Sequence, residues 1–250
     1  MKPRSASSFF AAACVAAASA AHALPLSDRT DRADRTSFEL FAGSNLATPG
    51  SFRGPLRIES PDGVTNYTRL GFDDAYQHDY TAGAELDFNL DSHVALFAQA
   101  AYSQFNGQNH EIGYTAPTAG FVPIHAQFSD VNSGELDLGA RYTFAMGERL
   151  RPFVGASLGA EHVPDTYATV DDIRVGLGKS GTLFQQRVET GVQYSPMPNF
   201  DVRLTAAASH VDGGKSADDP YLPLLGLDSS NSTMHAHWDY PAEIGAVWHF

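Results

Sequence analysis

An all-β fold, an eight-stranded antiparallel transmembrane up-and-down β-barrel, is predicted by three features of this 250-residue chain. Apolar and polar residues alternate with a period of two over several separate stretches, as in strands with one greasy and one wet face. Long loops and short turns join those stretches alternately, which suits an even-stranded barrel with four long loops at one end and three short turns at the other. Aromatic residues gather at both ends of the apolar rows with aliphatics between them, the arrangement of a strand that crosses a bilayer.

Taken in order, a first strand sets Phe38, Leu40 and Ala42 against Glu39, Phe41 and Gly43. A Pro- and Gly-bearing stretch follows to about His78. The second strand is the cleanest, with Tyr80, Ala82, Ala84, Leu86, Phe88 and Leu90 opposing Thr81, Gly83, Glu85, Asp87 and Asn89. Asp91-Ser92-His93 is a tight turn, and Val94, Leu96, Ala98, Ala100 and Tyr102 carry a third strand back. After a loop from Asn106 to about Asn132, Leu136, Leu138, Ala140, Tyr142 and Phe144 oppose Glu135, Asp137, Gly139, Arg141 and Thr143. Beyond the Ala145–Leu150 turn, Val154, Ala156, Leu158 and Ala160 oppose Phe153, Gly155, Ser157, Gly159 and Glu161. A third loop covers roughly His162 to Thr182. Phe184, Val188, Val192 and Tyr194 then stand against Gln185, Arg187, Glu189, Gly191 and Gln193. Ser195-Pro-Met-Pro-Asn199 turns the chain into Phe200, Val202, Leu204, Ala206 and Ala208, opposite Asp201, Arg203, Thr205 and Ala207. A fourth loop from Val211 to about His237 leads to the last strand. There Tyr240, Ala242, Ile244, Ala246, Trp248 and Phe250 form the apolar row, and Asp239, Pro241, Glu243, Gly245, Val247 and His249 the other.

Two other arrangements fit part of the pattern. A soluble antiparallel barrel or sandwich also alternates, but its inward row would hold large interlocking apolar side chains. Ten strands result if Ser51–Ser60 and Gly63–Phe72 cross the bilayer as well. That places Asn66 and Thr68 against lipid with no water to satisfy them, so an external hairpin is the expectation.

The N-terminus fits export. Lys2 and Arg4 precede an apolar run from Phe9 to Ala20, and Ala21-His22-Ala23 offers a small-x-small cleavage site. Residues 1–23 therefore read as a signal peptide, 24–36 as a periplasmic lead-in and 37–250 as the barrel. The single cysteine, Cys14, lies in the signal segment, so the mature chain relies on no disulfide. Sixteen basic against 29 acidic residues give a net charge of −13, which excludes the basic footprint of nucleic-acid binding.

The inward rows carry the chemistry. Arg141, Arg187 and Arg203 face the carboxylates of residues 39, 85, 87, 135, 137, 161, 189, 201, 239 and 243. The expected site is an ion network inside the barrel made by Glu85, Glu135, Arg141, Arg187, Glu189, Arg203 and Glu243. It forms either a hydrogen-bonded plug or, as an alternative, a narrow cation-preferring channel, since rings of carboxylates favour cations. Catalysis is not expected, a lipid A-modifying enzyme being the least favoured reading: Ser209 and His210 are adjacent on one strand and point to opposite faces, which separates the two members a hydrolytic triad needs. No metal site or other cofactor is implied. His235 and His237 share the inward row, but His210 belongs to the outward one.

The final amphipathic strand, with Tyr240, Ile244, Trp248 and the terminal Phe250, resembles the assembly signal of bacterial outer-membrane barrels. As a whole the mature chain resembles the small barrels typified by the OmpA transmembrane domain, OmpX and the opacity proteins, through topology, alternation and the terminal aromatic. That resemblance implies residence in the outer membrane of a Gram-negative bacterium, contact with its lipid and lipopolysaccharide, and recognition of the C-terminal strand by the barrel assembly machinery. It also implies a structural or surface-interaction role (envelope integrity, adhesion or resistance to host defences), with an extracellular ligand or host surface as the partner of the external loops.

Overall fold

Alternation over these stretches gives extended strands, and their hydrogen bonds close into a ring. The computed structural model describes residues 36–60, 63–116, 121–144, 149–215, 217–227 and 236–250. The signal and lead-in segments up to residue 35, His235 and most of the Ala145–Leu150 turn lie outside the described residues. In chain order the elements are β1 (Thr36–Asn45), β2 (Ser51–Arg53), β3 (Leu56–Ser60), β4 (Gly63–Tyr67), β5 (Leu70–Gly71), a single helical turn α1 (Phe72–Ala75), β6 (Tyr76–Asn89), β7 (Val94–Gly107) and β8 (Asn109–Ala116). They continue with β9 (Val122–Phe128), β10 (Val131–Thr143), β11 (Leu150–Val163), β12 (Thr166–Val170), β13 (Ile173–Gly178), β14 (Gly181–Met197), β15 (Phe200–Val211), a 3-10 turn (Leu222–Leu225), β16 (His237–Asp239) and β17 (Pro241–His249).

Eight of these strands form the wall. β1, β6, β7, β10, β11, β14, β15 and β17 pair antiparallel, each with its neighbour in sequence around the wall, and β17 returns to β1 to close it. Closure leaves no free edge in the barrel. The ten-stranded alternative is therefore not adopted: β3 and β4 pair with each other outside the wall, as the cost of Asn66 and Thr68 in lipid required.

The wall is inside-out relative to a soluble barrel. Leu138 is 70% exposed on the outer face while Asp137, next to it, is 2% exposed inside. Leu86, Leu136, Leu158, Val188, Leu204 and Ile244 extend that outer band. Tyr80, Tyr102, Phe184 and Tyr240 stand exposed on its loop side, and Phe88, Tyr142, Phe144, Tyr194 and Phe250 on its turn side. A continuous apolar belt between two aromatic rims suits hydrocarbon and not water.

Three inward phenylalanines hold the wall's inner shape. Phe41, Phe97 and Phe153 each lie opposite an inward glycine of the next strand, Gly83, Gly139 and Gly191 respectively. A Cβ at any of these glycines would run into the facing ring. The missing side chains are what let three large rings lie flat inside a narrow barrel.

Strand ends differ from the sequence expectation in one direction. β14 runs to Met197, so Ser195-Pro196-Met197 belong to the strand and not to the turn; a register shift between Tyr194 and Met197 makes room for the proline. At the opposite end β6, β7, β11 and β14 run several residues past the length a bilayer needs, about 9–11 residues for a tilted strand. The extra residues carry the external connections upward.

Those connections are not open loops. β3, β4, β8, β9, β12 and β13, drawn from the first three connections, make a second antiparallel sheet in the order β13-β12-β9-β8-β4-β3. Its hydrophobic core draws on all four connections: Tyr67, Leu70 and Phe72 from the first, Ile112 and Phe128 from the second, Val170, Val175 and Leu177 from the third, Leu222, Leu225 and Leu227 from the fourth. Polar ties cross the same boundaries. The Tyr67 hydroxyl donates to the Pro223 carbonyl at 3.0 Å, and Arg53 donates to the Ile112 carbonyl at 3.2 Å while its guanidinium lies 4.8 Å over the Tyr67 ring. Burial pushes the Tyr67 phenol above its ordinary value, which keeps it a donor. The fourth connection also joins through Gly176 N–H to Asp219 at 2.7 Å. The result is a folded cap seated on the outer end of the barrel.

Candidate functional site: the lumen and its outer vestibule

The inward side chains sort by depth into three layers. At the turn end Asp201 is fully buried and accepts from Arg151 at 2.8 Å, from His249 at 2.7 Å where that nitrogen carries its proton, and from Gln193. Arg151 also reaches the Ser195 hydroxyl at 3.2 Å.

The middle layer is built around three guanidinium groups. Arg141 donates to Glu85 at 2.8 Å, to Asp87 at 2.9 Å and to Glu189 at 2.9 Å. Its plane lies between Phe97 and Phe153, whose ring centroids are 4.6 and 5.0 Å from its central carbon. Arg203 bridges the same carboxylates from the other side, donating to Glu39, to Glu85 at 2.5 Å and to Asp87 at 2.8 Å. Glu39 and Glu85 are direct cross-strand partners, a like-charge pair that would repel without Arg203 between them. Arg187 donates to Glu243 at 2.6 Å and lies 3.7 Å from Glu189. Each guanidinium thus carries at least two carboxylates, the planar forked geometry that such groups favour.

The upper layer is acidic without such neutralisation. Glu135 and Glu161 are direct cross-strand partners. Glu135 accepts from Ser103 at 2.9 Å, and among the described residues neither glutamate has an arginine or lysine within ion-pair distance. Asp239 accepts from Asn45 at 2.6 Å and lies 3.3 Å from His237, whose ring lies tilted against Phe72 of the cap with 5.0 Å between ring centroids. A cavity of about 340 Å³ lies above this layer, walled by both barrel and cap; a smaller one of about 30 Å³ lies within it. The two share Asn45, Phe105 and Glu161 as lining residues.

Of the seven residues expected in the ion network, the structure brings together Glu85, Arg141, Arg187, Glu189, Arg203 and Glu243. Glu135 stands apart, one layer higher. Tyr240, Ile244, Trp248 and Phe250 lie on the outer row of the last strand, where Trp248 packs edge-on to Phe200 at 5.6 Å. Arg151 is an inward cation beyond the three expected ones. Its signal is legible in the sequence, since it shares odd parity with Phe153, Gly155 and Ser157, two residues before Phe153. Ser209 is buried and faces in while His210 packs on the outward Trp238 at 5.0 Å, so the two point apart as expected. Glu39, Glu85 and Asp87 bring one oxygen each within 4.8 Å of one another, a spacing a metal ion accepts, but Arg141 and Arg203 already fill that space.

No protein-family model and no curated protein matches this chain. Among solved structures it is similar to Neisserial surface protein A, at 14% identity over 86% of this chain and 96% of that one, with a TM-score of 0.45. It is also similar to the outer membrane protein AlkL determined in DMPC bilayers, at 13% identity over 91% and 96% of the two chains and a TM-score of 0.48. The attachment invasion locus protein Ail of Yersinia pestis, solved with the heparin analogue sucrose octasulfate, gives 13% identity over 86% and 97% and a TM-score of 0.42. The architecture of the present chain rests on its own closed pairing and inside-out surface: it is an eight-stranded membrane-spanning β-barrel with a folded external cap.

Proposed function

We propose that the protein is an outer-membrane barrel whose role is surface interaction, carried by the cap, with the lumen serving as a closed support. The observation that carries this reading is the cap itself. All four external connections contribute to one hydrophobic core, so they present a fixed surface and not four independent mobile loops. The arginine layer beneath supports the closed-lumen half of the reading, because three guanidinium groups and their carboxylates fill the inner cross-section beside three phenylalanine rings.

The test has two arms. Cells displaying the full barrel are compared, for attachment to immobilised host matrix and for survival in serum, with cells displaying a barrel whose four external connections are replaced by short turns. The full barrel should confer the phenotype and the trimmed one should not; equal behaviour would overturn the role of the cap. In planar bilayers the refolded protein should give no unitary conductance. The acidic upper layer favours the alternative, a narrow cation-preferring channel. Steady cation-selective steps that lose selectivity in Glu135→Gln would establish it.

A further inference from the structure

We infer that the outer vestibule is a binding site for a small organic cation, an ammonium group attached to an apolar body, a site beyond the surface role assigned to the cap. Geometry divides the site into two chambers that fit the two parts of such a ligand. The upper cavity, about 340 Å³, falls in the size range of small-molecule pockets and is walled by Phe72, Tyr76, Phe105, Val131 and Val163. Leu46, 74% exposed, marks its open rim. The lower cavity, about 30 Å³, has room for little more than a water molecule or a group of that size. Glu161 lines both chambers, with Glu135 across the strand pair from it.

Charge in the lower chamber points to a cation. Glu135, Glu161, Asp239 and Glu243 line it against one fixed cation, Arg187, which is committed to Glu243 and Glu189. Burying a carboxylate without a cation beside it is costly, as at Glu135 and Glu161, and a ligand that supplies the missing positive charge recovers that cost on binding. Two further groups in the same chamber lack hydrogen-bond partners among the described residues: Gln185 Oε1, on a residue 2% exposed, and the Ser209 hydroxyl, on a residue 3% exposed. An ammonium offers up to three donors, and two carboxylates, an amide oxygen and a hydroxyl oxygen are there to accept them. The aromatic faces above also attract the positive end of such a ligand as it enters.

The experiment uses the refolded full barrel in lipid nanodiscs, titrated calorimetrically with 4-phenylbutylamine, with empty nanodiscs as the reference for partitioning into lipid. Saturable binding of one amine per barrel is expected. The neutral 4-phenylbutanol, of the same shape, should bind at least tenfold more weakly, and 4-phenylbutyrate should not bind. Glu161→Gln, confirmed as folded by its compact gel mobility, should lower amine affinity at least tenfold without changing that of the alcohol. Val163→Phe, which fills the upper chamber, should weaken both. Should Glu161→Gln fail to fold, Glu135→Gln takes its place, and the contrast between amine and alcohol in the wild type is decisive on its own. Equal affinity for the two would mean that the glutamates share protons and carry no charge to read, which overturns the inference. So would amine uptake indistinguishable from that of empty nanodiscs.

Discussion

Replacing Arg141 with Met removes the cation that joins three strands of the wall while keeping much of the side chain's length. The side chain is 3% exposed, so solvent has little access to whatever is left behind. Of its three carboxylate partners, Glu85 and Asp87 keep Arg203. Glu189 keeps only the edge of Arg187 at 3.7 Å. The damage therefore falls on one orphaned carboxylate, about 3–5 kcal/mol for a buried pair broken from one side. Loss of the guanidinium from between the Phe97 and Phe153 rings adds about 1–2 kcal/mol. Reversible urea unfolding in lipid vesicles, followed through the fluorescence of Trp238 and Trp248, measures the sum. The double variant Arg141→Met, Glu189→Gln should recover about 1–3 kcal/mol, since the two residues act through one contact. Arg151→Met provides the comparison: that arginine is 32% exposed and Asp201 keeps His249 and Gln193, so solvent screening limits the loss to about 1 kcal/mol or less. A stability for Arg141→Met within about 1 kcal/mol of wild type, with no recovery in the double variant, would show that the middle layer is hydrated and not a sealed network.

Three further outcomes follow from the same structure. Leu138→Arg, on the apolar belt, should cost about 2–4 kcal/mol in bilayer refolding; refolding equal to wild type would mean that the outer face has been misassigned. Trypsin applied to intact cells should cut at Arg57, exposed on the outermost cap strand, well before Arg53, which is buried under Tyr67. Faster cleavage at Arg53 would mean that the cap core is not formed. Asp91 accepts from the backbone N–H groups of His93 at 2.7 Å and Val94 at 2.9 Å, and these bonds hold its carboxyl below the usual carboxylate range. A depressed carboxylate stabilises the fold above its unfolded value of about 4 and loses that contribution as pH falls through the lower folded one. Asp91→Ala should therefore shift stability at neutral pH and leave it unchanged at pH 2; the same deficit at both would point to the turn backbone instead of the charge.

What the sequence made legible was everything the bilayer dictates. Alternation assigns each wall residue a face without knowledge of its neighbours, which is why Leu138 and Asp137 were correctly separated. Register was not legible, because parity does not say which strand pairs opposite which residue. The bridging of Glu39 and Glu85 by Arg203 and the seating of Phe97 over Gly139 both depend on it. The expected external hairpin forms as β3 and β4, but its union with the other connections into a cap was hidden for a different reason. Its strands are short, β3, β4 and β12 having five residues each, and their buried face is set by the other connections and not by lipid. One local signal was present: in Val170-Asp171-Asp172-Ile173 both aspartates take positive φ, 47° and 65°, making the two-residue turn that joins β12 to β13. Two short acidic residues between β-branched ones are a hairpin cue, since Asp adopts that conformation more readily than most side chains.

The vestibule lies where those two sets of constraints meet, and this accounts for its chemistry. Below it, inward positions are enclosed by the wall on all sides and the arginines concentrate there, pairing with Glu39, Glu85, Asp87, Glu189 and Glu243, while the buried Asp137 has no arginine within ion-pair distance among the described residues. Above it, the cap buries apolar side chains from four connections as an ordinary hydrophobic core does. Glu161 and His237 belong to the barrel sheet, yet both line the cavity that Phe72 of the cap and Tyr76 at the outer end of β6 also wall, and the His237 ring lies against Phe72. A residue in that position is not held to charge balance by the barrel, nor to apolarity by the cap. Unneutralised acid beside aromatic surface is the combination that results, and there an external ligand can supply the positive charge that Arg141, Arg187 and Arg203 give to their carboxylate partners deeper in the wall.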